Sequence, residues 1–158
     1  MAMPVKEIAK QKIDMLSHDD IMELLGFLNA LEQKHEFARE ENHGELRHSL
    51  EELRETCGVD NWDGYGACAL HKESYQEALR LLQYLPTMFP QPDVAADPDG
   101  TVAFEWSNGP RQVLSLSIGD HGELVYAGIF EKSYTHGTEY FEHDFPRILV
   151  EHLQRVFE

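Results

Sequence analysis

Asn61, Trp62, Asp63, Gly64, Tyr65, Gly66 and Ala67 put two short polar side chains, two aromatic rings and two glycines into seven consecutive positions. Asn and Asp side chains accept hydrogen bonds from nearby backbone amides, and an Asp-Gly step permits a tight turn. Trp62 can plug the edge of a core while its indole N–H reaches a carbonyl. These traits describe a loop stapled onto a domain. The same residues also suit a ligand or partner site built from Asn61, Trp62, Asp63 and Tyr65. The stapled loop is the better supported reading, because neighbouring residues offer no matched catalytic partner.

Other chemistry is harder to assemble. His136, Glu139 and His143 lie close in sequence, with His121 on an earlier turn, but their spacing matches no zinc motif and there is no HExxH. Cys68 lies three residues before His71, and no GxSxG, phosphate-binding GxxxxGK or GxGxxG sequence occurs. Paired acids such as Asp19-Asp20 and Glu51-Glu52 fall on solvated helix faces. Neither a metal nor a cofactor is expected, and a non-enzymatic role is preferred to catalysis. Cys57 and Cys68 fit neither a CxxC pair nor a zinc knuckle, and read as small, partly buried thiols.

The elements that must carry these residues follow from hydrophobic rhythm. Val5, Ile8 and Lys12 or Ile13 suggest a short helix stopping near Ser17, which then caps a second one. Ile21, Leu24, Leu25, Leu28 and Leu31 recur at helical spacing on one wide apolar face. His43-Gly44 reads as a break. Leu46, Leu50, Leu53 and Cys57 form another helical stripe, closed by Gly58. Residues 58–70 are a loop. A helix over 72–85 follows, with Ser74-x-x-Glu77 as a capping box or a start nearer His71, ended by Pro86 and Pro90.

After Pro90 the period becomes two. Val102, Phe104 and Trp106 form one buried strand face, Leu114, Leu116 and Ile118 a second, and Leu124, Tyr126, Gly128 and Phe130 a third. Turns fall at residues 97–100, 108–110 and 119–122, and a short fourth strand at 138–141 follows a His136-Gly137 turn. Such short turns join antiparallel neighbours. Asp144 is the expected N-cap of a terminal helix carrying Leu149, Val150, Leu153, Val156 and Phe157. The fold class is α+β: a helical N-terminal arm (1–57), then a core domain (58–158). The core is a two-layer sandwich of a three- or four-stranded antiparallel meander with flanking helices.

The 158 residues suffice for an ordinary domain without staples. Apolar residues make up 42% and charged residues 27%, a globular balance. The net charge of −16 disfavours direct nucleic-acid binding and anionic membranes. The stretch MAMPVKEIAKQKIDML lacks the continuous apolar run of an export signal, so the cytoplasm is the expected location.

NWDGYGA, an Ala- and Leu-rich helix and the PDGTVAFEW hairpin together resemble a group of small bacterial proteins. That group shares an NWDG-x-GA loop, a helix and a PDG-x-V-x-x-EW hairpin, has no established activity and implies no catalytic roles. The resemblance covers residues 61–129 and implies that Asn61, Trp62, Asp63, Gly64, Gly100 and Trp106 belong to the shared pattern. The N-terminal stretch resembles the helical dimerisation or toxin-binding segments of small bacterial antitoxins, but lacks a basic DNA-binding arm.

The leading expectation is an interaction or regulatory protein that forms a homodimer, or takes a protein partner, through Ile21, Leu24, Leu25, Leu28 and Leu31. One alternative is an acidic inhibitor or DNA mimic that binds a basic protein. Another is a small-ligand binder or enzyme using the loop at 61–65.

Overall fold

A computed structural model describes residues 4–158, with side chains described for all of these except 38–42. The elements run α1 (Val5–Asp14), α2 (His18–Thr56), α3 (Lys72–Leu81) with a 3-10 turn (Leu82–Tyr84), β1 (Asp93–Ala96), β2 (Val102–Ser107), β3 (Gln112–Ile118), β4 (Glu123–Phe130), β5 (Ser133–Tyr140) and α4 (Arg147–Phe157). The chain divides into two compact units, Met1–Ala38 and Arg39–Glu158.

In the C-terminal unit the five strands form one antiparallel sheet in chain order. The register aligns Phe104 with Leu116, and Leu116 with Tyr126, so the three expected inward faces lie side by side. These residues form a buried cluster with Leu46 and Leu50 of α2, Tyr75, Ala78 and Leu81 of α3, and Leu149, Leu153 and Val156 of α4. On the opposite face Glu105, Val125 and Ala127 are exposed. The α+β class, the meander and the helical N-terminal region all hold.

Several boundaries differ from the sequence reading. The sheet has five strands, not three or four. β1 is a short stretch of Asp, Val and Ala with weak strand propensity, and it forms by pairing along β2. His136-Gly137 is not a turn but lies inside β5, opposite Ala127 and Tyr126. A Cβ on Gly137 would come 2.6 Å from the Tyr126 hydroxyl, so the glycine makes room for that ring. The reversal falls earlier, at Glu131, whose φ is +58°.

α2 does not break at His43-Gly44. A glycine costs a helix only about 1 kcal/mol relative to alanine, and Leu46 and Leu50 just beyond it are anchored in the core. The second compact unit, which starts at Arg39, takes in both leucines.

The helix starts also shift. The N-cap of α4 is Pro146, whose carbonyl accepts from Leu149 and Val150, rather than Asp144. α3 starts from His71, the alternative read from sequence, and Ser74 forms no capping box. Ser17 does cap α2: its Oγ accepts from the Asp20 N–H at 3.2 Å, while Asp20 accepts from the Ser17 N–H. This is the reciprocal capping arrangement. Gly58 closes α2 with no left-handed φ. It is needed because a Cβ there would lie 2.5 Å from the Arg54 carbonyl oxygen.

Candidate functional site

The loop after α2 is built largely from its own side chains. Asn61 adopts φ +60°, with Gly64 at +76° and Gly66 at +91°. Left-handed residues reverse the chain within a few positions, and Asn tolerates that conformation better than most. The Asn61 Oδ1 accepts from the Gly66 N–H at 2.7 Å. The Asp63 Oδ1 accepts from Tyr65 at 2.8 Å and from Ala67 at 3.1 Å. The Asp60 Oδ1 accepts from Ala69 at 2.9 Å. The Trp62 indole N–H donates to the Cys68 carbonyl at 3.0 Å.

These bonds explain the electrostatics of the site. Amide donors from Tyr65 first, and from Ala67 second, hold the Asp63 carboxyl below its usual range. A carboxylate so engaged is poorly placed to act as a base. The loop is then tied to its surroundings: Leu70 donates to Cys57, Cys68 to Pro98 and His71 to Gly100. A Cβ on Gly100 would collide with the His71 ring, so the NWDG loop and the PDG turn are packed against one another. Of the four residues singled out from sequence, Asn61, Trp62 and Asp63 turn their polar atoms to the loop's own backbone. Tyr65 is 94% exposed at its tip. Cys57 is buried as expected, whereas Cys68 is exposed and both thiols are free.

The second candidate is the apolar stripe of α2 within the N-terminal unit. Ile21, Leu24 and Leu31 are half-buried, while Leu25 and Leu28 are exposed at 46% and 42%. Phe27, three residues after Leu24 and four before Leu31, adjoins the stripe at 61% exposure. Sequence reasoning passed over it, although its spacing was readable. None of residues 4–37 is buried, α1 included.

The histidines considered for metal binding are spread out. His136 and Glu139 lie on β5, His121 in the β3–β4 turn and His143 in the segment before α4. Among the described residues, no group of three or more His, Cys, Asp or Glu is placed to hold a metal ion. No described helix is long and apolar enough to cross a membrane.

No protein-family model, curated protein or solved structure matches the chain.

Proposed function

We propose that this is a non-enzymatic interaction protein that associates with a second copy of itself through its N-terminal helices. The observation that carries this reading is the continuous apolar stripe of α2 in a unit with no buried residue among positions 4–37. A helix hydrophobic on one face needs that face covered. Fully burying a Leu or Phe contributes roughly 1.5–3 kcal/mol. Association itself costs about 4–15 kcal/mol. One or two side chains could not offset that cost, but the stripe of one copy against that of another could.

Charge favours a second copy as the partner. Residues 1–38 hold seven acids and four bases, whereas residues 39–158 hold 22 acids and nine bases. Association through the N-terminal unit brings apolar surface together and lets the unit that holds most of the net negative charge stay in solvent. The full chain should elute, by size exclusion with light scattering, at a multiple of 18.2 kDa. The Leu25→Glu/Leu28→Glu variant should fall to the monomer mass. A monomeric wild type at tens of micromolar, or a variant of unchanged mass, overturns the reading.

A further inference from the structure

The C-terminal end of α2, the base of the 58–70 loop and α3 enclose an open cleft of about 480 Å³. Small-molecule sites span roughly 300–1,000 Å³. Its apolar lining is Leu70, Leu79 and the ring of Tyr75; its polar lining is Arg54, Lys72 and Gln76. No carboxylate lines it. In a chain with 29 acids and 13 bases that is an unusual local balance. Elsewhere on the same unit one cleft carries Glu52 and Glu55, another Glu142 and Asp144, and a third Glu73 and Asp120, while a fourth, with only about 20 Å³ beside Leu46 and Trp106, has no carboxylate but no Lys or Arg either.

The two cations are not engaged with carboxylates. Among the described residues neither Arg54 nor Lys72 forms an ion pair. The Arg54 guanidinium instead lies 5.4 Å from the centroid of the Tyr75 ring, an arrangement that leaves its N–H donors open to a further acceptor. The backbone at the foot of the cleft is tied together. Gly58 closes α2 against the Arg54 carbonyl, and the Leu70 N–H bonds to Cys57 at 2.8 Å, holding the foot of the loop to the helix end.

The geometry points to a binding site for a small organic carboxylate with an apolar body, its charge held by Arg54 and Lys72 and its body against Leu70, Tyr75 and Leu79. A planar guanidinium suits a carboxylate, and Gln76 supplies a neutral donor. Extended polyanions are disfavoured, because beyond the cleft their charges would meet a strongly acidic surface within a Debye length of ~10 Å. A ligand whose single charge stays between the two cations avoids that repulsion. The site is independent of self-association, and its test reads residues outside the N-terminal unit.

Phenylacetate titrated into the ¹⁵N-labelled full chain should give saturable amide shifts at residues 54–58 and 70–79. The neutral phenylacetamide should bind at least about ten-fold more weakly, as should the separate Arg54→Gln and Lys72→Gln variants, each losing one charge-assisted contact. Both substitutions fall on exposed side chains, so unchanged amide spectra away from the cleft verify the fold in each. The assignment is overturned by shifts elsewhere or none, by equal binding of the amide, or by variants that bind as the wild type does. Inorganic phosphate binding as tightly as phenylacetate would also overturn it, since the apolar lining would then contribute nothing.

Discussion

His152 is 7% exposed, and neither of its ring nitrogens has a hydrogen-bond partner, the sole such buried side chain among the described residues. It packs against Tyr126 and Phe130, with ring centroids 5.3 and 5.6 Å away. Burial first, and the Arg155 charge second, push its pKa below the ordinary value, while Glu151 and Glu139 oppose them in part. The fold therefore holds a neutral imidazole. As pH falls through ~6.5 the unfolded chain takes up a proton that the fold refuses, and stability is lost until pH passes the lowered pKa. His152→Leu removes two unpaired polar atoms and should stabilise the protein by about 1 kcal/mol at neutral pH. The gap between variant and wild type in urea midpoint should widen from pH 7.5 to pH 5; a constant gap contradicts the assignment. The sequence disguised this position. Its spacing from Leu149 and Val156 puts it on the apolar stripe, but histidine is an uncommon choice there. Asn61, Trp62 and Asp63 were more legible, because their partners lie within a few residues.

Ser74 shows what element-level rhythm leaves out. Its hydroxyl donates to the Ile118 carbonyl at 2.5 Å and accepts from the Val102 N–H at 2.8 Å. Val102 and Ile118 are register partners at one end of the β2–β3 pair. One buried hydroxyl on α3 thus completes the ladder where the sheet meets the helix. In sequence Ser74 resembles half of a capping box; the partners that give it another role are 44 and 28 residues away. Ser74→Ala leaves a buried donor and acceptor unpaired and should cost about 1–3 kcal/mol. Urea denaturation checks this, and a change within a few tenths of a kcal/mol would show that water or backbone adjustment replaces the hydroxyl. β5 is a related case: its alternation is hidden because its residues are polar and only every second one is half-buried.

At the scale of the molecule, every buried residue of the described chain falls between Leu46 and Val156. A chain cut to residues 43–158 should therefore keep a cooperative urea transition and the near-ultraviolet signal of Trp106, which is 2% exposed and bonded to the Pro90 carbonyl. It should also lose self-association. A truncated chain that unfolds would show that the C-terminal unit is not self-sufficient. The arm was legible as a helical segment. Leu46 and Leu50 repeat at helical spacing whether they face a core or a partner, and only packing tells the two apart.

Hydrophobic period, turn residues and caps were sufficient to determine the α+β class, the antiparallel meander and the inward face of each central strand. These depend on the chemistry of residues within one or two turns of each other. Tertiary structure alone decided the continuity of α2, the pairing of β1, the burial of His152, the place of Gly137 beneath Tyr126 and the carboxylate-free cleft between α2 and α3. Each depends on groups that are distant in the chain and meet only once the sheet and helices have packed, and a pattern along one dimension does not encode that proximity.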